Sequence, residues 1–398
     1  MSLKCTNIDA GIRIHTDGTY SPCCLTRGVK YKDRKGEDMN VKTHTFEEAF
    51  SSPTLDEIRN AFKNNIKHPA CETCWQEEAL GRASKRVRDN QKTISDQVIH
   101  NTPFSLELNL GNICNLACRM CSLGASMNWK KEHNLTLGPD EQWSKEQINQ
   151  IAKTYNNAFT DDSLIWEQLH SNMKYVRHLD MYGGEPLMMK KQWDALRYSV
   201  EQGYAKNQYI HFNTNGTIFK SEYVDILKHF KQADISFSID GTHKYFEYIR
   251  YPAKWNETEN IMETWLENTK EFHNIHYDLC FTYQILNVLN YGAVAEWCKD
   301  RNIRIYRNGV YAPHYYNATN IRESLKPAII EKIRATPVRY PEIREEWEDI
   351  IGHINFKEAD PVQWQKFLTV NNNLDISRNQ SFVDLFPEEV KLFKYKLI

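Results

Sequence analysis

The sequence predicts an α/β fold in which a parallel sheet forms the central part of the chain. Between residues 101 and 320, short runs of alternating apolar and polar side chains recur between helical patterns, as in successive βα units. The chain of 398 residues is long enough for two or three domains. A cysteine-rich segment precedes this part and a charged helical segment follows it. We therefore divide the chain into residues 1–100, 101–320 and 321–398.

Composition points to a protein that works away from membranes and nucleic acids. Acidic and basic residues nearly balance, giving a net charge of −2 and no basic field that would attract nucleic acid. The apolar runs are far too short to span a bilayer, and the first residues lack a signal-peptide apolar region. We therefore expect a cytoplasmic protein. The sequence has ten cysteines, and in that compartment metal binding is a more common role for cysteines than disulfide formation.

The first segment begins with a predicted β-hairpin that carries cysteines on both of its legs. Alternation through Ile12–His15 before an Asp-Gly turn, with extended chain after it, indicates two short strands. This hairpin could bring Cys5 and Cys23 together. Cys23 is the favoured ligand because it keeps the spacing from the glycine, but the adjacent Cys24 could substitute for Cys23.

A second cysteine pair completes this first group. Cys71 and Cys74 form a C-x2-C pair that enters a helical run predicted from Trp75 to Arg88. Two thiols from a hairpin and two from such a pair make a tetrahedral four-thiolate site. On this chemistry alone, zinc and an iron–sulfur cluster suit the site equally. Capped helices are predicted between the pairs, at Thr45–Phe50 and Ser52–Arg59.

The second cysteine group lies on a loop at the end of a predicted strand. Phe104–Leu110 alternates like a strand and is broken by Gly-Asn, after which Cys114, Cys118 and Cys121 follow with the spacing C-x3-C-x2-C. A cubane [4Fe–4S] cluster normally has four cysteine ligands, so three leave one iron open to a small molecule. The alternative is a zinc site completed by a remote histidine.

The strands that follow end in residues suited to binding a ligand. The long polar stretch Ser122–Met173 is either a surface insertion or a lid over the sheet. The strand after it ends in Gly183, Gly184 and Glu185, where the glycines allow close approach of a ligand and the glutamate offers an acceptor. The next predicted strand end carries Asn213, whose amide could bind a ligand or satisfy a turn.

One further strand end offers a hydroxyl and a guanidinium. Ser238 lies at the end of a predicted strand, and Arg250 follows twelve residues later after a short helical run. A fixed guanidinium suits a carboxylate because it can donate two parallel hydrogen bonds. Asp240 precedes a glycine and needs no role beyond a turn. His314, among tyrosines, is either a substrate contact or a structural histidine.

The cysteine spacing at Cys114, Cys118 and Cys121 resembles the signature of the radical S-adenosylmethionine (SAM) enzymes. The Gly-Gly-Glu turn resembles that family's motif for the amino group of SAM, and Ser238 and Arg250 match positions that contact its ribose and carboxylate. The resemblance also implies that Asn213 lines the adenosine site. The resemblance implies a partial (β/α)6 TIM-type barrel. It further implies that SAM is cleaved to a radical that takes a hydrogen atom from the substrate, with electrons from a reductant such as flavodoxin or ferredoxin.

The first cysteine group resembles the twitch, or half-SPASM, domain of the same enzymes, which holds an auxiliary [4Fe–4S] cluster. Here it precedes the barrel, whereas the family usually carries it afterwards. The resemblance implies two [4Fe–4S] clusters with SAM as cofactors. It assigns the auxiliary cluster to four cysteines: Cys5, Cys23, Cys71 and Cys74.

The substrate is not fixed by these motifs. The first expectation is a radical SAM enzyme that modifies a peptide or protein side chain. The alternatives are a radical SAM dehydrogenase of a small alcohol or sugar, and a non-catalytic zinc-binding interaction protein. Residues 321–398 predict a helical extension without chemistry of its own, with charged helices such as Glu342–Ile351 and a turn at Asn371–Asp375.

Overall fold

The computed structural model describes residues 3–26, 28–79, 81, 83–91, 103–157, 159–160 and 163–394. Within these ranges one eight-stranded sheet has the order β2-β1-β3-β4-β5-β6-β7-β8. The strands are β1 Gly11–Ile14, β2 Tyr20–Ser21, β3 Ser105–Asn109, β4 His178–Tyr182, β5 Tyr209–Thr214, β6 Gln232–Ser238, β7 Ile275–Tyr283 and β8 Arg304–Gly309.

Helices connect the strands and form the C-terminal part of the chain. None of those in the described ranges combines the length and the apolar composition that a membrane crossing requires. The helices are α1 Thr6–Ala10, α2 Phe46–Phe50, α3 Pro53–Lys63, α4 Glu72–Ala79, α5 Lys85–Gln91, α6 Lys145–Asn157, α7 Leu164–Asn172, α8 Lys190–Glu201, α9 Ser221–Leu227, α10 His243–Ile249, α11 Trp255–Thr269, α12 Tyr291–Asp300, α13 Lys326–Ala335, α14 Glu342–Ile354, α15 Pro361–Arg378, α16 Phe382–Leu385 and α17 Pro387–Leu392.

The six strands β3 to β8 run parallel, and each pairs with the next strand in the chain. Helices separate every consecutive pair, which is the repeated βα unit of a partial barrel. The predicted α/β fold and partial (β/α)6 barrel are confirmed. Because the strands are parallel, their carboxyl ends meet at one edge of the sheet, where the cysteine loop and the Gly-Gly-Glu turn both lie.

The N-terminal hairpin belongs to the same sheet as the barrel. Strand β1 pairs in parallel with β3, from Gly11 opposite Ser105 to Ile14 opposite Leu108. Strand β2 pairs antiparallel with β1 at the outer edge. The first cysteine group is therefore built directly onto the barrel. The domain boundary predicted at residue 100 lies outside the described residues.

A buried carboxylate ties this N-terminal region to the first barrel strand. Glu107 of β3 accepts hydrogen bonds from Arg13 of β1 (3.2 Å) and from the backbone N–H of Cys24 (2.9 Å). Lys85 of α5 lies 3.0 Å from its other oxygen. Three separate segments thus converge on one anion, which fixes where the first cysteine group sits against the barrel.

The helical run predicted from Trp75 to Arg88 is two helices. Helix α4 ends at Ala79 and α5 begins at Lys85. Gly81 between them has φ +72°, a conformation that terminates helices because only glycine adopts it without steric cost. Residues 80 and 82 lie outside the described ranges.

The turn predicted at Asn371–Asp375 is wrong, because these residues lie inside helix α15. Asparagines favour turns when their side chains bond the local backbone. Here Asn371 instead accepts from Arg119 (2.9 Å) and donates to the Tyr248 hydroxyl (2.7 Å), both far away in the chain. Because these distant partners occupy the Asn371 side chain, it does not bond the local backbone and the helix continues.

We expect Glu107→Ala to lower the free energy of unfolding by about 3 kcal/mol, the scale on which a buried ion pair that loses one partner is destabilised. Its side chain is only 3% exposed, so water cannot compensate Arg13 and Lys85. The measurement is chemical denaturation followed by circular dichroism. Exposed Glu267 is the matched control, since Glu267→Ala should leave the unfolding curve in place. Equal curves for both variants would contradict this role of Glu107.

Candidate functional site

The cysteine loop after β3 is held by backbone hydrogen bonds to the last residue of α10 and to the segment that follows it. The N–H of Ala117 donates to the carbonyl of Tyr251 (2.7 Å), and that of Arg119 donates to the carbonyl of Ile249 (2.8 Å). Gly111 turns the chain out of the strand with φ +73°. The loop that carries three thiols thus has a fixed course without being a helix or a strand.

The three thiols of this loop lie near one another. Cys118 is close enough to both Cys114 and Cys121 to interact with them electrostatically. Burial raises the pKa of Cys114 to about 12, so it favours the neutral thiol unless a positive centre stabilises the thiolate. Three thiols on one short loop, with Cys118 buried and Cys114 and Cys121 partly exposed, are the soft donor set that an iron–sulfur cluster uses. The residues present therefore fit such a cluster.

The Gly-Gly-Glu turn packs against the same loop. Gly183 and Gly184 have φ +86° and +45°. A Cβ on Gly184 would stand 2.1 Å from the carbonyl oxygen of Ile113, the residue before the first cysteine of the loop. The N–H of Glu185 donates to that same oxygen (2.8 Å). Glycine is required here because the turn and the cysteine loop touch backbone to backbone.

The carboxylate of Glu185 joins the ends of β4 and β5. It accepts from the Thr214 hydroxyl (2.9 Å), the N–H of Asn215 (2.8 Å) and the N–H of Leu187 (3.2 Å). Burial raises its pKa to about 7, against the lowering effect of these donors. Glu185 therefore orients the two strand ends. Its predicted contact with the amino group of SAM stays a prediction.

Asn215, the residue directly after β5, reaches the cysteine loop. Its side-chain amide donates to the side-chain Oδ1 of Asn115 (2.8 Å) and lies 3.9 Å from the Cys114 sulfur. Asn213, which the sequence singles out, is half-buried on β5, and its adenosine contact stays a prediction. The sequence could have indicated Asn215 through the Asn-Gly pair at 215–216, because such a pair favours a turn directly after the strand.

Arg250 lies beside the thiols in a buried ion pair. Its Nη2 is 2.7 Å from a carboxylate oxygen of Asp240, and the Asp240 charge, with smaller contributions from Cys118 and Cys121, raises the pKa of Arg250. The turn role expected for Asp240 alone is therefore wrong, because its carboxylate is fully buried and also accepts from the N–H of Thr282 (3.0 Å). Ser238 is half-buried at the end of β6. The SAM contacts predicted for Ser238 and Arg250 stay predictions.

The four cysteines of the first group line one cavity. Cys5 precedes α1, Cys23 follows β2, and Cys71 and Cys74 flank the start of α4. Burial raises the pKa of Cys5 to about 11 and of Cys71 to about 12. Four buried thiols around one space fit a second cluster.

Cys24 faces away from that cavity. Its sulfur lies 3.8 Å from a carboxylate oxygen of Glu107, and its backbone N–H donates to the other oxygen (2.9 Å). Lys85 and Arg86 do line the cavity with the four cysteines. Two cations at its wall suit the negative charge of a cluster bound by four thiolates.

A row of polar residues that the sequence analysis did not single out crosses one face of the sheet. His211 of β5 stands between Asp180 of β4 (3.2 Å) and Ser236 of β6 (3.0 Å), and the Ser236 hydroxyl donates to Asp278 of β7. Burial alone would lower the pKa of His211, but the hydrogen bond and charge of Asp180 outweigh it and raise the pKa. The alternation of polar and apolar residues along these strands could have indicated this row. The apolar residues face the helices, and the polar residues share the opposite face of the sheet.

His314 lies apart from the two thiol groups and the polar row. It is exposed and packs against the Tyr311 ring, and its predicted substrate contact stays a prediction. Across the described residues, no three His, Cys, Asp or Glu side chains are grouped so as to hold one metal ion.

The parallel barrel sheet and its two sets of converging thiols define an iron–sulfur protein of the α/β class. Residues 108–300 match the radical SAM superfamily, and residues 5–75 match the SPASM iron–sulfur cluster-binding domain. The chain therefore carries a radical SAM domain preceded by a SPASM-type iron–sulfur domain. Its cofactors are accordingly a [4Fe–4S] cluster with SAM in the barrel and further iron–sulfur in the SPASM-type domain.

Solved structures show weaker similarity, at scores too low to extend the properties of those proteins to this chain. Histidine-tagged anSMEcpe with bound AdoMet has a TM-score of 0.39 and 15% identity, covering 63% of this chain and 59% of that one. SuiB of Streptococcus suis bound to S-adenosylmethionine has a TM-score of 0.34 and 14% identity, covering 85% and 69%. This chain thus spans about three fifths of the length of anSMEcpe. Curated protein sequences give no match.

We expect Gly184→Ala to weaken SAM binding and cluster retention, because the added Cβ displaces the carbonyl of Ile113 and with it the cysteine loop. The measurements are equilibrium SAM binding and iron content of anaerobically purified protein. Gly203 is a matched control: its φ is +72°, yet nothing lies within 4 Å of an added Cβ. Gly203→Ala therefore carries the backbone strain of about 1 kcal/mol without the clash. If both variants behaved alike, the contact with Ile113 would be irrelevant to the site.

Proposed function

We propose that this chain cleaves SAM reductively and abstracts a hydrogen atom from a peptide or protein side chain. Cys114, Cys118 and Cys121 would hold the SAM-binding cluster. The observation that carries the proposal is the pair of thiol sites on one continuous sheet, with three thiols at one site and four at the other. Three cysteine ligands leave one iron of a cubane cluster free to bind SAM, whereas four cysteine ligands would coordinate every iron of the auxiliary cluster.

When bound, the cluster and SAM together supply a 5′-deoxyadenosyl radical. This chain's own residues bind and orient the reactants and exclude water. Glu185 and Asn215 fix the ends of β4 and β5 against the cysteine loop. We expect Gly183, Gly184, Glu185, Asn213, Ser238 and Arg250 to bind SAM.

The auxiliary cluster would be held by Cys5, Cys23, Cys71 and Cys74 and would exchange electrons with the substrate. An external one-electron reductant such as flavodoxin or ferredoxin would supply the electron for SAM cleavage. We assign these functions to residues 1–100 for the auxiliary cluster and 101–320 for the barrel. Residues 321–398 form the helical extension.

Access to the sheet supports a large substrate. Strands β2 and β8 are the two ends of the sheet in the described residues, so the barrel does not close. Tyr306 of β8 and Tyr311 beyond it are 44% and 51% exposed at this edge. An open strand edge with exposed aromatic side chains can accept an extended peptide, by main-chain hydrogen bonds and ring contacts.

A small alcohol or sugar is the second candidate substrate. The row from Asp180 through His211 and Ser236 to Asp278 offers closely spaced donors and acceptors that would suit hydroxyl groups. Anaerobic turnover with deuterated peptides or deuterated sugars discriminates the two. Deuterium in 5′-deoxyadenosine from one class alone identifies the substrate, and deuterium from neither class would contradict both candidates.

We expect Cys114→Ala to abolish 5′-deoxyadenosine formation in the presence of dithionite, because the cluster loses one of its three protein ligands. Cys298→Ala is the matched control, since Cys298 is buried on α12 away from both sites and should leave the product unchanged. Liquid chromatography with mass spectrometry measures the product. Persistent 5′-deoxyadenosine in Cys114→Ala would end the assignment.

The adjacent thiols at 23 and 24 allow a second matched pair. Anaerobic protein should contain about eight iron atoms per chain, from about four per cluster. Cys23→Ala should lose about half of this iron, because Cys23 lines the four-thiol cavity, whereas Cys24→Ala should keep it. Iron analysis and visible absorption measure the outcome. A zinc content replacing iron in the parent protein would favour a zinc-binding protein instead.

A further inference from the structure

We infer that the C-terminal helix α15 is a positioning element of the SAM-binding cluster, acting through Arg119. The inference rests on the proposed function, because it takes Cys118 and Cys121, on either side of Arg119, as cluster ligands. Sequence patterns gave this extension no chemical role. Its contacts with the cysteine loop assign it one.

The guanidinium of Arg119 is fully buried, and its partners come largely from the C-terminal extension. Its Nη1 donates to the side-chain oxygen of Asn371 (2.9 Å), and its Nη2 donates to Asp375 (2.5 Å) and Gln380 (2.9 Å). Its Nε donates to the carbonyl of Tyr248 (2.9 Å). Because the planar guanidinium group donates hydrogen bonds from all three of its nitrogens, it cannot shift without breaking several buried hydrogen bonds.

Helix α15 carries two of these partners, Asn371 and Asp375, on one face, together with Arg378. Asn371, Asp375 and Arg378 are spaced by four and three residues, so they lie on the same side of the helix. All three are buried. Ile376, next to Asp375, points away and is 75% exposed. The buried polar face therefore belongs to the contact with the barrel.

Arg378 provides a second attachment on the other side of the cysteine loop. Its Nη2 and Nε donate to the Glu132 carboxylate (2.7 and 3.0 Å). Its guanidinium also lies 5.4 Å from the centre of the Trp129 ring. The indole N–H of Trp129 donates to the carbonyl of Cys118 (3.2 Å). The helix thus reaches Cys118 through Trp129 as well as through Arg119.

Tyr248 connects this cluster of contacts to Arg250. Its hydroxyl donates to Asp375 (2.8 Å) and accepts from Asn371 (2.7 Å), while the Arg119 guanidinium lies 3.7 Å from its ring centre. Tyr248 is near the end of α10, two residues before Arg250. Movement of α15 would therefore disturb both the cysteine loop and the arginine beside the thiols.

The physical reason for such a clamp is that the loop has no regular structure to hold the thiols in place. Buried hydrogen bonds around metal ligands orient those ligands, and their loss typically costs about 10–100-fold in metal affinity. Asp375→Asn removes the anion from Arg119 while keeping the shape of the side chain. We expect it to shorten the half-time of iron loss to a chelator about tenfold at the SAM-binding cluster.

The test separates the two clusters within the full-length chain. Asp375→Asn is introduced into a Cys71→Ala, Cys74→Ala background, in which only the SAM-binding cluster is assembled. It is also introduced into a Cys114→Ala, Cys118→Ala background, which retains only the auxiliary cluster. Ile376→Asn in each background is the control, because it places the same side chain on the exposed face. Chelator-driven iron loss and the electron paramagnetic resonance change on adding SAM are measured anaerobically.

Faster iron loss and a diminished SAM-induced signal in the first background alone would support the inference. Equal loss in both backgrounds, or loss in neither, would overturn it. If Asp375→Asn prevents folding, Asn371→Ala decides by the same criteria, since it removes one acceptor of Arg119 and leaves the ion pair. If the Cys114→Ala, Cys118→Ala chain keeps both clusters, the ligand assignment of the proposed function fails first, independently of α15.

Discussion

The structure depends on holding three thiols together on a loop that is neither helix nor strand. Backbone hydrogen bonds from Ala117 and Arg119 fix it to the end of α10 and the segment that follows, and the Gly-Gly-Glu turn touches it at Ile113. A buried guanidinium fixes it from the C-terminal side. Because a cluster requires its ligands at fixed separations, each of these contacts bears on the chemistry although none involves the metal.

The auxiliary site is fixed to the same framework by different means. Its hairpin continues the barrel sheet, and Glu107 holds Arg13, Lys85 and Cys24 around one buried anion. The two thiol sites are thus parts of one sheet rather than of two loosely joined domains. The polar row centred on His211 crosses the same sheet, and the raised pKa of His211 follows from its contact with Asp180. Electron transfer and substrate binding would both use this rigid frame.

Most strand ends and their glycine turns were predictable because their signals are local. Alternation marks a strand within a few residues, and glycine marks the conformations that other residues avoid. Asp240 and Asn371 were misread for the opposite reason. Both are residues that commonly form turns. The Asp240 carboxylate, however, accepts from the N–H of Thr282 in the next strand, and the Asn371 side chain accepts from Arg119, 252 positions away. Local propensity cannot anticipate a partner that the fold supplies.

The sequence by itself determined the family, the α/β barrel and the two cysteine groups, because covalent spacing and short-range periodicity carry that information. Only the tertiary structure decided which of the thiols at 23 and 24 faces the four-cysteine cavity, since neighbouring side chains on an extended segment point in different directions. It alone also decided that the C-terminal helix clamps the cysteine loop. That contact joins residues more than 250 positions apart, and only the packing of the whole chain brings them together.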